Sequence, residues 1–221
     1  MKLLISALTK YLAGLLLAGL LLFLPAGTLR YPGGLLFCGL LFGPMLILGV
    51  VLFCKAPELL EKRLRTKETQ TAQKQVIGLS ALVFIGGFVL AGLDFRFGWT
   101  RVSHWIVATA SVLLLISYGL YAEVMRENTW LSRTVEVQEG QTVVDTGLYG
   151  IVRHPMYGVT VLLFLSMPLV LGSWISFGVF LIYPALMVKR IRHEEALLEA
   201  ELPGYADYKK KVKYRMIPFL W

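Results

Sequence analysis

The chain is 221 residues long, 57% apolar and only 16% charged, with a mean hydropathy of +0.67. That composition lies outside the range of soluble domains and indicates an integral membrane protein. The formal charge of +8 does not argue for a nucleic-acid partner, because the basic residues sit in membrane-flanking loops, where topology and attraction to anionic lipid account for them.

Four apolar segments open the chain: Leu3 to Leu24 (broken only by Lys10), Leu35 to Phe53, Val76 to Leu93 and Val102 to Tyr121. Each approaches the ~20 residues needed to cross a hydrocarbon core. Lys2 and Lys10 give the first segment some likeness to a cleaved signal. Leu24, however, stands three before Gly27 where a small residue is wanted, and further spans follow, so it is read as a span. Gly14, Gly19, Gly39, Gly43, Gly49, Gly86, Gly87 and Gly92 read as close-packing contacts between helices. From Lys55 to Lys74 the chain is charged, with Leu59, Leu60 and Leu64 at helical spacing behind Pro57. This predicts a surface helix or charged linker, acting either as a lipid-surface anchor or as a solvated loop. Cys38 and Cys54 have no paired spacing, so no metal or redox site is expected. No Gly-rich phosphate loop, HExxH or Ser-His-Asp signature is present either.

Polar chemistry is concentrated in the second half. Glu123 to Val152 alternates apolar pairs with polar groups, as a folded loop does, and Asp145, Thr146 and Gly147 form a turn. Next come Tyr149, Arg153, His154, Pro155, Met156 and Tyr157, with Pro155 at a first helical position. Unpaired N–H groups and partial positive charge at that helix start, with Arg153 and His154, suit a carboxylate or another anion. The tyrosines could stack on a flat ring. The competing reading is an ordinary interfacial belt of Arg and Tyr. Met156 to Leu171 and Trp174 to Val188 are separated by Gly172 and Ser173, which leaves room only for a tight helical hairpin and brings the total to six spans.

Counting Lys and Arg by loop orients the chain. With a cytoplasmic N-terminus the outside loops hold only Arg30, Arg96 and Arg101. The inside segments hold Lys2, the basic residues of 55 to 74, then Arg126, Arg133 and Arg153, and the tail cluster from Lys189 to Arg215. Both termini, the 122 to 155 loop and the tail are therefore expected in the cytosol, at the inner or plasma membrane if the host is bacterial. In that tail Arg190 and Glu194 are four apart on one helix face, with Glu195 beside them. The Arg-then-Glu order is the less favourable one for simple helix support. Function and plain membrane-end charge both remain open for this pair.

Five elements in order then match a known pattern. They are Gln141-Thr-Val-Val-Asp-Thr-Gly-Leu-Tyr149, Arg153-His-Pro-Met-Tyr157, Arg190-Ile-Arg-His-Glu194-Glu195, Tyr205-x-x-Tyr208 and Tyr214-Arg215-x-x-Pro218. Residues 123 to 221 thereby resemble the isoprenylcysteine carboxyl methyltransferase family, related to the phospholipid methyltransferases. The resemblance implies an S-adenosyl-L-methionine-dependent enzyme with an all-α membrane fold. A four-span region (1 to 121) would precede a methyltransferase-like region (122 to 221) holding a cytosolic cofactor pocket. It implies cofactor contacts from Gln141, Thr142, Val143, Val144, Tyr149, His154, Pro155, Met156, Tyr157 and Glu194, and an acceptor carboxylate facing Arg190. Gln141 departs from the histidine frequent at that position in eukaryotic members, which leaves its own role open. The implied partners are the bilayer and a lipidic or prenylated small-molecule or protein acceptor. Arg190 favours an acidic acceptor, an amine headgroup beside Glu195 stays open, and so does methylation on oxygen, nitrogen or sulfur.

Two other classes compete with carboxyl or phospholipid methylation. An NADPH-dependent sterol-type membrane reductase has a similar C-terminal half, and would want extra cations for a 2′-phosphate and about ten spans. A non-enzymatic membrane scaffold is the third class.

Overall fold

In the computed structural model, residues 2–64, 71–132 and 134–221 are described. The readings that rest on Arg65, Lys67 and Arg133 fall outside them. Helices dominate: α1 (Lys2–Ala26), α2 (Pro32–Lys55), α3 (Pro57–Leu64), α4 (Thr71–Phe97), α5 (His104–Glu127), α6 (Pro155–Val170), α7 (Trp174–Phe180), α8 (Ile182–Glu201) and α9 (Tyr205–Lys211), with a 3-10 turn at Gly147–Gly150. The described residues contain one isolated parallel bridge, Val152 to Tyr214.

Five of these stretches are long and apolar enough to cross a membrane: α1, α2, α4, α5 and the joined α7–α8. The expected sixth span is α6, which has 16 residues and so a length of about 24 Å at 1.5 Å per residue, short of a ~30 Å hydrocarbon core. The hairpin itself forms as expected. Val170 ends α6, Trp174 begins α7, and Gly172 turns the chain at φ +83. Outward faces are apolar, as at Leu16, Leu24, Ile47 and Leu82, because lipid is their solvent.

α4 runs through the middle of the bundle, against α1, α7 and α8. Two of its glycines explain the approach: a Cβ on Gly87 would lie 2.3 Å from the Phe180 ring, and one on Gly92 would lie 2.5 Å from the Leu22 carbonyl. The remaining glycines read as helix contacts do not play that part. Gly14 is at ordinary distance from Phe42, and Gly19, Gly39, Gly43, Gly49 and Gly86 have nothing within 4 Å. Five of the eight thus lie where no other helix approaches.

One end of the bundle is pinned by Asp94, which is 1% exposed. Its carboxylate accepts from the Thr100 amide at 2.6 Å and from the Thr100 and Ser173 hydroxyls. Beside it the Tyr31 hydroxyl donates to the Leu171 carbonyl at 2.6 Å. Three loops are thereby tied together, and the buried carboxylate is satisfied locally.

At the opposite end α3 packs its leucine face on the rest of the protein. Leu59 and Leu60 are buried, and Leu59 packs with Val124, Met125, Tyr149, Met156 and Val159 of the C-terminal half. Its basic residues hold the segment after α5: Lys62 lies over the Trp130 ring at 5.3 Å, and Arg63 donates to the Ser132 carbonyl at 3.1 Å and to the Tyr121 hydroxyl. Helical leucine spacing was a correct signal here, but the buried surface is protein rather than lipid.

Candidate active site

The site is built where α6 begins. Thr146 donates to the Glu127 carboxylate at 2.7 Å, and the chain then turns at Gly147, φ +52, where a Cβ would lie 2.7 Å from the Glu127 carboxyl carbon. The 3-10 turn that follows buries Tyr149, whose carbonyl accepts from the Tyr208 hydroxyl at 2.7 Å. Pro155 then starts α6 at its first position, as its missing N–H and fixed φ favour.

The C-terminal tail crosses this start. The Arg153 and His154 amides donate to the Tyr214 and Arg215 carbonyls at 2.9 and 2.7 Å. These two backbone donors are therefore occupied. The anion that Arg153 meets is the chain's own Glu195, at 2.7 Å, with the Arg153 and Glu195 side chains each 4% exposed. Arg153 also donates to the Val212 and Lys213 carbonyls at 2.6 and 2.8 Å. Glu195 takes the Arg215 Nε at 2.8 Å and faces the His154 Nε2 at 3.3 Å. Four side chains thus form one network joining α6, α8 and the tail, buried except at Arg215. An amine headgroup beside Glu195 has no opening there, since that carboxylate is filled and buried.

Adjacent residues on a helix point about 100° apart, so Glu194 turns away from this network into a second group. The Tyr157 hydroxyl donates to Glu194 and accepts from the Arg190 Nε at 2.9 Å. The Arg190 guanidinium also lies 5.8 Å from the Tyr157 ring centre. One phenol therefore links the residue implied for the cofactor with the one implied for the acceptor.

Both groups border a cavity of about 430 Å³. Of the expected site residues, Gln141, Thr142, Val143, Val144, Tyr149, His154, Met156, Tyr157, Arg190 and Glu194 line it, whereas Pro155 does not. His154 borders it with its imidazole turned to Glu195. The Gln141 side-chain carbonyl accepts from the Gln138 amide at 2.9 Å, which gives this departure from the family's frequent histidine a local turn-closing task. Burial pushes the Tyr149 phenol well above its ordinary pKa, so it stays protonated and a donor at neutral pH. The wall includes residues that the sequence reading did not propose, namely Arg63 from α3 and Asn128, Trp130, Ser132 and Glu136 from the segment after α5. Basic and aromatic residues at 62, 63 and 130 were visible signals, but nothing local says that segments some 60 positions apart meet.

The cavity also has an apolar arm. Val76, Ile77, Ala81 and Phe84 of α4, Phe164 of α6, and Tyr183 and Met187 of α8 form its walls. The arrangement can hold a polar molecule at the Glu194 end and an apolar chain alongside it.

Fold and site together define a multi-pass, all-helical membrane protein with a charged cavity at one end of its C-terminal helices. Residues 106–200 match the model of the isoprenylcysteine carboxyl methyltransferase (ICMT) family, a methyltransferase family, and this bears out the resemblance drawn from the motifs. The chain is also 31% identical over 91 residues to the Delta(14)-sterol reductase TM7SF2 of Mus musculus, covering 40% of this chain and 22% of that protein. It is 28% identical over 98 residues to the uncharacterized protein YpbQ of Bacillus subtilis (strain 168), covering 44% of this chain and 58% of that one. In both comparisons the match spans less than two thirds of the relative.

Proposed function

We propose that this protein is an S-adenosylmethionine-dependent membrane methyltransferase acting on a lipidic acceptor with an acidic group, of which an isoprenylcysteine-like carboxylate is the leading case. The observation that carries this reading is the meeting of four of the five sequence elements around one cavity whose polar end continues into an apolar arm, with the fifth tied behind it through the Tyr214 and Arg215 carbonyls. The donor set fits the cofactor: Glu194 offers a carboxylate for its ammonium group, Tyr149 and Tyr157 offer flat faces, and the 141 to 144 segment lines the wall. The cofactor would supply an electrophilic methyl group on a sulfonium, to whose carbon an acceptor carboxylate oxygen would bond as the carbon–sulfur bond breaks, with S-adenosylhomocysteine as the leaving group. No covalent enzyme intermediate is needed for such a displacement. The residues' part is then alignment and exclusion of water. Arg190 orients the acceptor carboxylate, its planar fork suiting two-point contact, and Tyr157 keeps Arg190 and Glu194 in register.

Both termini and the mouth of the cavity face the cytosol in this reading, where a soluble cofactor arrives. Alkaline phosphatase fused after Trp221 should give no activity, and the same reporter inserted between Asp94 and Arg101 should give activity. Strong activity from the tail fusion would reverse the orientation.

The partial likeness to the sterol reductase favours a second reading, an NADPH-dependent reductase, with Arg63, Arg153 and Arg190 among the cations that line the cavity. Calorimetric titration of detergent-purified protein separates the two. S-adenosylhomocysteine should bind and NADPH should not. The reverse result would move the protein to the reductase class, and binding of neither would leave the scaffold reading.

A further inference from the structure

The apolar arm ends on a floor of three aromatic rings, one from each helix that walls it. Phe84 meets Phe164 edge-on at 4.7 Å, Phe164 meets Tyr183 at 4.7 Å, and Phe84 meets Tyr183 at 6.0 Å. A second layer backs the floor. Phe180 sits 5.2 Å from Phe84 and is 0% exposed, held where any Cβ on Gly87 would lie 2.3 Å from its ring. From Val76 at the polar end to Phe84 is eight residues of one helix, about 12 Å at 1.5 Å per residue. The side wall is different in kind. Ala81, one turn before Phe84, is small and exposed on α4, so the arm adjoins the outer surface of the bundle along this flank.

The geometry points to Phe84 as the gauge of acceptor chain length. This inference rests on the methyltransferase reading for the identity of the acceptor, while the depth of the arm belongs to the structure itself. In a bilayer an apolar tail leaves one apolar medium for another, so length selection here comes from fit against the ring floor and not from a hydrophobic gain. A tail that reaches the floor packs along the whole arm. One that is longer must fold back or leave past Ala81, which draws its reacting headgroup out of line with Arg190 and Glu194. Phe84 contacts the tail in this scheme and is a specificity residue, remote from the reacting atoms.

The test compares N-acetylcysteine carrying geranyl, farnesyl or geranylgeranyl chains as acceptors for the wild type, Phe84→Leu and Ala81→Leu. Phe84→Leu lowers the floor without removing its packing. Ala81→Leu fills the arm one turn above it, from a position exposed enough to spare the fold. The ratio of kcat/KM for the longest over the shortest chain should rise at least ~10-fold in Phe84→Leu and fall at least ~10-fold in Ala81→Leu, the low end of discrimination by a pocket for methylene groups. S-adenosylhomocysteine affinity should stay within about twofold of wild type in both, because the floor lies two turns of α4 from the polar end. An unchanged ratio in both variants, or shifts of the opposite sign, overturns the gauge. If the wild type binds S-adenosylhomocysteine but turns over none of the series, displacement calorimetry with the same compounds reads the length preference directly, and a flat profile across the three proteins is again a refutation. If the wild type does not bind S-adenosylhomocysteine, the methyltransferase reading falls, and the binding profile still decides whether the arm measures chains.

Discussion

Glu195→Ala should destabilise the protein by about 3–5 kcal/mol, the usual cost of removing one partner from a buried ion pair. Arg153 would keep the Val212 and Lys213 carbonyls, but its side chain, 4% exposed in the intact protein, would be left with no carboxylate against it. Arg215 and His154 lose the same partner. In thermal unfolding of detergent-purified protein this should appear as a fall of at least ~6 °C in midpoint, taking ~2–4 °C per kcal/mol for a chain of this size. Removing both charges, as in Arg153→Met with Glu195→Leu, should recover much of the loss, because replacing a whole buried pair with apolar groups is often close to neutral. A Glu195→Ala midpoint within about 2 °C of wild type would show that water or the tail re-solvates Arg153, and that the network does not hold the wall of the cavity.

This network also marks the limit of what the sequence shows. Arg153, His154 and Glu195 were all noticed as charged groups at a membrane boundary. Arg153 does meet an anion, but spacing could not say that it lies 42 positions away on α8. Arg190 and Glu194 were legible for the opposite reason. A separation of four residues places two side chains on one helix face whatever the tertiary fold, and the structure adds the Tyr157 hydroxyl between them.

The bundle follows the same division. Gly172 and Ser173 forced the hairpin, and hydropathy alone gave α1, α2, α4 and α5. For α6, 16 residues long, hydropathy does not decide the span, because the apolar run Met156 to Leu171 reads the same whether it reaches both interfaces or stops within the bundle. The glycines show why composition misleads here. A small residue permits a close approach but does not bring a neighbour, and of the eight only Gly87 and Gly92 have a ring or a backbone so near that a Cβ would clash. For α3 the leucine period showed that one face is buried and nothing about what buries it, since Leu59 meets residues some 65 to 100 positions further on.

Glu194→Gln should weaken S-adenosylhomocysteine binding by about 1.5–3 kcal/mol, the range for hydrogen bonds to charged groups, or roughly tenfold to a hundredfold. The amide keeps the shape of the side chain and can still accept from the Tyr157 hydroxyl, so the folded yield and thermal midpoint should hardly change. What is lost is the negative charge facing the cofactor's ammonium group. Arg190→Lys provides the contrast. It keeps a positive charge near Tyr157 but gives up the planar fork, so cofactor affinity should stay within a few-fold of wild type while turnover with the true acceptor falls at least ~10-fold, or about 1.4 kcal/mol of barrier. If these two residues only anchor the cytosolic end of α8, both substitutions should be nearly silent, because Lys snorkels to the interface as well as Arg does. Calorimetry on both variants, with initial rates on S-farnesylated cysteine and on phosphatidylethanolamine, divides the roles. Unchanged S-adenosylhomocysteine affinity in Glu194→Gln would remove Glu194 from the cofactor site, and full activity of Arg190→Lys on whichever acceptor is used would reduce Arg190 to a membrane anchor.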